Sequence, residues 1–569
     1  MNSTRLRAPF SKTLEARPHT AVYTMHKYFA RRPWNVFSEL ISHYSSPHDI
    51  ILDPFCGGGV TVIESLRLAR RAVAIDINPL ATYVTEMQTR PIDIDSFRRG
   101  VLEVSSGVKQ EIRSLYSTRC PNCHAETVAD WIEWDERTKR ILRLRYDCPI
   151  CGVSREKPPD REDKLLAEKI ASTFTQRVKS RKLWFPETQI PHGDKTNSLL
   201  SQRINAFHQL FTRRNLLALS ILLGQIEKTR DSQLRQFLKF AFSSSLKWAS
   251  RQSHLRGKIV EGWAMHAYWI YPKSLEINVW NTFERRTRAI LRGKEYSNEQ
   301  IREFRGAARN FKDLVNGNAS CLILNKSATR LPMPNSSIDA VITDPPYGAN
   351  VNYGELSDFW FIWMSGGKTI QKREEVIINR TQGKALEDYE ELLHTVLKEC
   401  YRVLKPHRCL VSTFNSKDMR VVASFITAAS RAGFTLVPDG VVYQKPIRPY
   451  RTTFHAMQIG AFVGDFIFTF TKDPKSLTPR TAKGEAGKLE RNLVGLIDRA
   501  EKKGITEPEL RANAYGVLIP FLAKYARSDM SVCRQLVDFF ETRMNEHELH
   551  FKELRRVITE QRRRIFLKQ

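Results

Sequence analysis

The sequence predicts an α/β protein whose doubly wound sheet is assembled from two separated halves of the chain. In the first half, residues 50–76 alternate in the order strand, glycine-rich turn, helix, strand. In the second half, the apolar run 340–343 is followed by an amphipathic helical pattern at 386–404 and another apolar run at 409–414. Alternating strands and helices build parallel sheets. We therefore expect one sheet that closes across a long insertion, with later strands near residues 434–470 completing it.

The composition indicates a large, basic protein with more than one core. A chain of 569 residues is too long for a single hydrophobic core. Lysine and arginine total 90 against 61 acidic residues, which gives a net charge of +29. This excess indicates a polyanionic partner, and nucleic acid is the first candidate. A generally basic, solvated surface is the alternative explanation.

The sequence predicts neither a targeting segment nor a disulfide framework. Residues 1–7 contain no apolar leader, and no stretch approaches the ~18 uninterrupted apolar residues of a membrane span. The nine cysteines are an odd number and are unevenly spread, with a cluster inside residues 120–151. This pattern fits a reducing compartment and a metal site better than disulfides. We therefore expect a cytoplasmic protein with no membrane partner.

Half of a nucleotide site is predicted where the first strand meets its glycine turn. The glycines of residues 57–59 let a ligand approach the backbone, and the next helix offers free N–H groups at its N-terminus. The second strand, residues 72–75, ends at Asp76, where an acid can accept both hydroxyls of a ribose. A glycine turn alone is often only a loop, but strand, glycines, helix, strand and acid together favour a nucleotide ligand.

The strand at 340–343 runs directly into Asp344-Pro345-Pro346-Tyr347, a set of groups suited to holding a flat molecule that carries an amino group. Asp344 can accept one N–H of the amine, the Pro345 carbonyl can accept the other, and Tyr347 can stack on the ring. Two acceptors placed for a tetrahedral nitrogen favour the reacting state over the planar one. The alternative is a simple proline turn after a strand.

Together, the two motifs resemble those of S-adenosylmethionine-dependent DNA amino-methyltransferases, which act on adenine N6 or cytosine N4. The resemblance implies a Rossmann-like methyltransferase sheet, with the segment 26–34 similar to the family's extra cofactor-side motif. Near the cofactor adenine the family often has Gly-Asp-Ala, whereas this chain has Lys-Ser-Ala at 326–328, so Ser327 stands where that acid would be. The implied cofactor-binding residues are Asp53, Pro54, Phe55, Gly57, Gly59, Thr61, Asp76, Asn78 and Ser327, and the implied catalytic residues are Asp344, Pro345, Pro346 and Tyr347.

Two paired Cys-x-x-Cys knuckles predict a structural zinc ion. The cysteines are Cys120, Cys123, Cys148 and Cys151. Four thiolates make a closed tetrahedral site, which leaves no open position for catalysis. Between the knuckles, residues 142–146 alternate as one strand of a hairpin would. This ribbon makes the resemblance closest to zinc-ribbon-containing adenine-specific DNA methylases. Trp131 and Trp134 would stack on bases or pack inside the ribbon.

The motifs divide the chain into six predicted segments. Residues 165–310 interleave aromatic and basic side chains with helical runs, which favours target recognition over an ordinary helical domain. The last segment would be a DNA clamp or a partner-docking tail. The segments are a flexible arm (1–20), the cofactor half (21–115), a zinc ribbon (116–156), a target-recognition domain (157–310), the catalytic half (311–474) and a helical C-terminal extension (475–569).

The resemblance implies methyl transfer to adenine N6 in duplex DNA, with the target base flipped out of the helix. In the family, an acid at the position of Asp344 accompanies adenine more often than cytosine. Cytosine-N4 methylation, methylation of a base amine in tRNA or rRNA, and a non-catalytic DNA-binding subunit are the alternatives. Restriction–modification and phage defence are candidate settings, with other subunits of such a system as further partners.

Overall fold

The computed structural model describes residues 8–444, 465–473, 483–503, 507–526 and 529–546. None of the helices within these ranges has the length and apolar character needed to cross a bilayer. The strands are β1 (Ile50–Asp53), β2 (Arg71–Asp76), β3 (Ser117–Arg119), β4 (Glu126–Asp135), β5 (Arg140–Asp147), β6 (Ser154–Lys157), β7 (His254–Arg256), β8 (Ile259–Glu261), β9 (Lys273–Ile277), β10 (Cys321–Asn325), β11 (Ala340–Thr343), β12 (Cys409–Phe414), β13 (Thr435–Gln444) and β14 (Asp465–Thr471).

Helices flank and separate these strands. They are α1 (Ala21–Thr24), α2 (Trp34–Tyr44), α3 (Val60–Arg67), α4 (Pro79–Thr89), α5 (Ile94–Ser114), α6 (Arg161–Ser180), α7 (Asn197–Ser201), α8 (Arg213–Ile226), α9 (Ser232–Ala249), α10 (Val279–Gln300), α11 (Phe311–Val315), α12 (Tyr353–Met364), α13 (Leu386–Val403), α14 (Met419–Arg431), α15 (Lys483–Lys503) and α16 (Glu507–Tyr525). A further helix, α17, covers residues 530–546.

The central sheet is mixed and mostly parallel, in the order β10-β2-β1-β11-β12-β14-β13. The pairs from β10 to β12 are parallel, and β14 runs antiparallel to both β12 and β13. The expected α/β class is therefore confirmed. Strands β1 and β11 are mainly apolar and are buried along their whole length. This is the pattern of strands in a parallel sheet that is covered on both faces.

The two halves of the chain meet at the pairing of β1 with β11, where Leu52 lies opposite Val341. On one side of this seam lies β2, which pairs in turn with β10 from the second half; on the other side the second half extends through β12. Because β1, β2 and β11 are parallel, their carboxyl ends lie at the same edge of the sheet. Those ends are followed by the glycine turn, by Asn78 and by Asp344, so the fold brings the two motifs to one edge.

The second sheet is antiparallel and contains the cysteine knuckles. Its order is β3-β4-β5-β6, and β9 adds a fifth strand by pairing with β4. The strand expected at residues 142–146 lies within β5. Trp131 is buried in this sheet, and the indole N–H of Trp134 donates to Glu276 at 3.0 Å. Both tryptophans therefore pack against other residues of the sheet. Of the two alternatives, stacking on bases or packing, this is the second.

The rest of the insertion is mainly helical. The apolar runs at 216–223 and 237–242 lie in α8 and α9, which pack with α5 and α10 in one hydrophobic core. Some of the interleaved aromatic residues are buried there, such as Tyr268, and others are exposed, such as Trp269. The insertion thus offers both core aromatics and surface aromatics.

The first and last described segments of the chain pack onto the central fold. Residues 8–20, within the segment expected to be a flexible arm, carry the buried Phe10, whose backbone N–H donates to the Tyr44 hydroxyl at 2.7 Å. At the other end, α15, α16 and α17 share a core with α14, and the Tyr515 hydroxyl donates to the Ser416 carbonyl at 3.1 Å. The basic tail at 560–564 lies outside the described residues.

Candidate functional site

A cavity of about 860 Å³, counted to its open mouth, lies at the carboxyl ends of β1, β2 and β11. Both motifs line it, so the glycine turn and Asp344 share one crevice although they are far apart in the sequence. Gly59, Pro345 and Tyr347 are not part of the lining. The sequence-predicted residues that line the cavity are Asp53, Pro54, Phe55, Gly57, Thr61, Asp76, Asn78, Ser327, Asp344 and Pro346.

The glycine turn has a backbone conformation that other residues adopt only with strain. Gly57 and Gly59 have φ angles of +46° and +77°. A Cβ on Gly57 would lie 3.1 Å from the Tyr28 ring, and a Cβ on Gly59 would lie 2.7 Å from the Thr85 hydroxyl oxygen. The turn therefore requires glycine both for its conformation and for the space around it.

Asp76 is fixed by the backbone of the turns on either side of it. Its carboxylate accepts the N–H of Gly57 at 2.9 Å and the N–H of Asn78 at 2.8 Å. Burial raises the pKa of Asp76 to about 7, and the two N–H donors oppose that rise. Asn78 itself caps α4 and donates to the Ser357 hydroxyl at 2.8 Å. Ser327 also lines the cavity, with its hydroxyl bonded to that of Thr329 at 2.8 Å.

Asp53 joins the two halves of the sheet. The Thr343 hydroxyl, at the end of β11, donates to Asp53, at the end of β1, over 2.6 Å. The N–H of Phe55 donates to the same carboxylate oxygen at 3.1 Å. Burial raises the pKa of Asp53 to about 6, and the hydrogen bond from Thr343 opposes this most strongly. Asp53 thus holds the cofactor-side turn against the strand that carries Asp344.

Asp344 is held by three side-chain donors. The Thr413 hydroxyl donates to Oδ1 at 2.6 Å, and the Tyr347 hydroxyl donates to the same oxygen. The guanidinium Nε of Arg32 donates to Oδ2 at 2.6 Å. Burial raises the pKa of Asp344, while Arg32 and the two hydroxyls oppose the rise. The carboxylate is therefore a preorganised acceptor at the end of β11.

Arg32 also covers the aromatic ring of the amine motif. Its guanidinium carbon lies 4.8 Å from the centroid of the Tyr347 ring, and its Nη1 donates to Asp465 at 2.9 Å. The side chains of Arg32, Asp344 and Asp465 are each only 17% exposed. Behind the ring, Tyr347 packs on Phe414 with centroids 4.8 Å apart. One planar cation thus contacts both the acid and the ring that were expected to hold the target.

Several residues of the site were not named individually from the sequence. Tyr28 and Tyr353 stack at 5.9 Å on the cavity wall. Glu375 is buried there; its Oε1 accepts the N–H of Gly354 at 2.9 Å, and Oε2 has no hydrogen-bond partner among the described residues. Burial raises the pKa of Glu375 to about 7. Tyr28 lies in the segment that was singled out, but Glu375 follows no recognisable motif.

The four knuckle cysteines converge in the second sheet. Their sulfur atoms all lie within 4.8 Å of one another, and the pairs Cys120–Cys151 and Cys123–Cys148 are each 3.6 Å apart. Four ligands at the usual Zn–S length of about 2.3 Å would lie roughly 3.8 Å apart in a tetrahedron. The cluster is therefore compatible with one zinc ion in a closed, structural site.

Comparison with known proteins shows which class this fold and site resemble. A family model described as DNA methylase, of the N6/N4 methyltransferase type, matches residues 8–87 and 338–500. Over these two segments the chain is similar to DNA amino-methyltransferases. The matched segments carry both motifs and leave out residues 88–337, which include the ribbon and the helical insertion.

Two individual proteins show similarity to parts of the chain. The Type II methyltransferase M.MjaII of Methanocaldococcus jannaschii is 22% identical over 340 residues, which are 58% of this chain and 57% of that relative. The chain thus spans a little over half the length of this curated relative. A solved structure from Thermus thermophilus, titled a DNA modification methylase, matches at 16% identity and a TM-score of 0.16, over 29% of this chain and 57% of that one. A TM-score this low carries no argument about the fold.

Proposed function

We propose that this protein transfers the methyl group of S-adenosylmethionine to the exocyclic N6 of adenine in duplex DNA. The observation that carries the proposal is the shared cavity, which has Asp76 on one wall and Asp344 on another. Asp76 ends β2 and Asp344 follows β11, with β1 between them. Together with the strand order, this placement supports a doubly wound, Rossmann-like methyltransferase sheet whose two halves are split by the insertion.

The cofactor half of the cavity suits a nucleoside with a charged tail. Asp76 offers a buried carboxylate for the ribose hydroxyls, and the turn at Gly57 and Gly59 gives a backbone surface without side chains. Ser327 lies on the same wall, where it would face the adenine. When bound, S-adenosylmethionine supplies a methyl group already activated on a sulfonium, so the task of the protein is mostly positioning.

The contacts made by Arg32 support the assignment of the target subsite. A guanidinium is a planar group that donates N–H bonds from its edge and stacks through its face, as an aminopurine does. In this structure it donates to Asp344 and lies over Tyr347. A flipped adenine would take over both contacts and displace Arg32, which keeps its second acid, Asp465.

Displacement of Arg32 would also prepare Asp344 to act on the amine. Arg32 is the largest of the influences that oppose the burial-driven rise in the pKa of Asp344. When the guanidinium leaves, the pKa of the carboxyl rises further, and its affinity for a proton increases. Asp344 would then hold the amine through one N–H and would accept that proton as the nitrogen takes the methyl group, whose bond to the sulfonium sulfur would break and leave its electron pair on sulfur.

The remaining parts of the chain fit supporting roles. The cysteine cluster would bind a structural zinc ion, and residues 157–310 would supply target recognition. Base flipping is required because a stacked adenine cannot bring its amine to the cofactor. We place the protein in the cytoplasm, in a restriction–modification or defence system whose other subunits would be partners.

A transfer assay tests the proposal directly. Protein purified with its metal is incubated with S-adenosylmethionine labelled in its methyl group and with duplex DNA or bulk RNA in parallel. The DNA is then digested and the labelled nucleoside is identified. We expect N6-methyl-2′-deoxyadenosine from DNA and no label in RNA. N4-methyl-2′-deoxycytidine would reassign the base, and label in RNA alone would reassign the substrate. Absence of both methyl transfer and cofactor binding would remove the catalytic role.

A further inference from the structure

The segment 254–271 carries apolar side chains on its surface. Its hairpin, β7–β8, and the loop that follows expose Ile259, Met265 and Trp269 by 61%, 39% and 45%, respectively. Large apolar side chains gathered on one short segment are usually covered by a partner rather than by water. We call this segment, residues 254–271, the hairpin ridge.

The ridge rests on a rigid aromatic base. Trp263 stacks on Trp360 at 5.2 Å and on Tyr268 at 4.7 Å, and the ring of Phe29 lies 5.6 Å away. The Tyr268 hydroxyl donates to the Glu355 carbonyl in the first turn of α12 at 2.9 Å. The exposed side chains are therefore carried on a foundation that has little freedom to move.

The same base connects the ridge to the proposed active site. Phe29 lines the cavity, and α12 begins at Tyr353, which also lines it. Trp263 packs against Phe29 and, through Trp360, against α12. The buried base of the ridge thus contacts residues that line the cavity, so the ridge and the cavity share one wall of packed aromatic side chains.

Positive charge flanks the exposed apolar residues. The hairpin tip carries Arg256 and Lys258, both exposed. Lys247 lies next to the hairpin, with its ammonium 4.4 Å from the Trp248 ring. Burial lowers the pKa of Lys247 to about 7; the nearby cations Lys27 and Arg286 add to that fall, and Glu261 opposes it. Glu261 lies on β8 and pairs with Arg256 at 2.8 Å, while Lys258 at the tip adds an exposed positive charge that suits a phosphate backbone.

We propose that the hairpin ridge is a docking surface for duplex DNA, with Trp269 and Ile259 contacting the bases beside the gap that the flipped adenine leaves. This inference rests on the proposed function. A two-stranded hairpin fits a DNA groove, and apolar side chains inserted at a base step compensate for lost stacking. Arg256, Lys258 and Lys247 would hold the neighbouring phosphates.

Substitutions at the ridge test this role in the full-length protein. We expect Trp269→Ala and Ile259→Ala each to lower methyl transfer to a fully paired duplex by roughly tenfold or more, the equivalent of one lost stacking contact. The conservative Trp269→Phe should retain most of the activity. Leu102→Ala, which shortens an equally exposed apolar side chain on α5, is the matched control and should behave as wild type. Cofactor binding, measured by calorimetry, should be unchanged in all four.

A mispaired target separates a gap-filling role from a general loss of structure. A mispaired adenine is already partly unstacked, so it needs less help to leave the helix. Transfer by Trp269→Ala should therefore recover on a duplex with a mispaired target. Equal losses on paired and mispaired duplexes, or no loss on either, would overturn the inference while leaving the proposed function intact. If the wild-type protein transfers no methyl group to DNA, the proposed function fails. The role of the ridge is then tested by fluorescence anisotropy with a non-specific duplex, where an unchanged affinity of Trp269→Ala would overturn the inference.

Discussion

At the scale of single residues, the site is dominated by the cost of burying Asp344. A buried carboxylate is tolerated only when donors compensate for lost hydration. Asp344 has three such donors, Thr413, Tyr347 and Arg32, and only Arg32 carries a charge. The acid is consequently held in one orientation before any substrate arrives, which is the preorganisation that catalysis by positioning requires.

The first prediction concerns Asp344 itself. We expect Asp344→Asn or Asp344→Ala to lower the rate of methyl transfer by about 10²- to 10⁴-fold, because neither side chain can take up the proton of the amine and alanine also removes the acceptor for its N–H. The cofactor binds on the opposite wall, so its dissociation constant should change little. Single-turnover transfer and calorimetry measure the two quantities. Retained turnover would remove Asp344 from the mechanism.

The second prediction concerns Arg32, which lowers the pKa of Asp344 in the free protein. In Arg32→Gln the positive charge is lost, so the pKa of Asp344 should rise. The acidic limb of the pH profile of kcat/KM, which reports the free enzyme, should therefore move to higher pH. Arg32→Lys retains the charge and should restore most of the wild-type profile. An unmoved limb would show that Arg32 does not control Asp344.

The third prediction concerns Asp76, whose pKa is raised by burial to about 7. Only the ionised carboxylate accepts hydrogen bonds from both ribose hydroxyls, so cofactor affinity should be full above pH 7 and should fall as the pH drops below it. Calorimetric titrations between pH 6 and pH 8 measure the change. In Asp76→Asn, binding should be weaker by roughly 10- to 100-fold, the loss of a charged hydrogen bond, and nearly independent of pH. Equal pH dependence in both proteins would assign the titration to another group.

The sequence revealed some residues of this site and not others, for a physical reason. Asp76 and Asp344 each end or follow an apolar run, so strand patterning locates them. The ion pairs of Arg32 join residues that are 312 and 433 positions apart, to Asp344 and Asp465, respectively. No local pattern encodes a contact at such a separation.

At the scale of elements, the strands and helices that were predicted best are those whose own hydrophobic pattern is enough to identify them. The runs at 340–343 and 409–414 are β11 and β12, and the helix expected at 386–404 is α13. The pairing of β9 with β4 was not predicted. β9 has five residues, and its partner is chosen by tertiary packing rather than by its own sequence.

The pairing of β9 with β4 leads to the fourth prediction, which concerns the cysteine cluster. We expect one zinc ion per chain in wild type and less than that in Cys123→Ser, because a site with three thiolates binds the metal more weakly. Loss of zinc should unfold the ribbon and, because β9 belongs to the insertion, expose residues near 273–277 to protease. Elemental analysis and limited proteolysis measure both effects. The control variant is Cys400→Ala, which replaces a buried cysteine outside the cluster and should keep its zinc. If the protein without zinc still resists the protease, the metal is not needed to hold the ribbon.

At the scale of the whole molecule, the candidate site is closed by a pairing between distant parts of the chain. The Thr343–Asp53 hydrogen bond spans 290 positions, and Asp339 accepts the Ile50 N–H across 289. Periodicity identified the two halves of the sheet. It did not give the order in which seven strands lie, because that order depends on contacts across the insertion.

The molecule's charge gives the fifth prediction. With a net charge of +29, binding to duplex DNA should weaken steeply with salt, since each neutralised phosphate contributes about −0.9 to the slope of log K against log salt concentration. Cofactor binding should depend on salt far less. The slope is measured by fluorescence anisotropy on a non-specific duplex, with potassium chloride varied and pH held constant.

The distribution of that charge decides whether the slope arises at the hairpin ridge or over the whole surface. If Lys258 contacts a phosphate, Lys258→Ala should reduce the slope by about 1 and weaken binding to all sequences alike. Lys164→Ala removes an equally exposed lysine from α6, outside the ridge, and should leave the slope unchanged. Equal effects of the two substitutions would mean that DNA is attracted by net charge alone, because only a localised contact distinguishes one lysine from another.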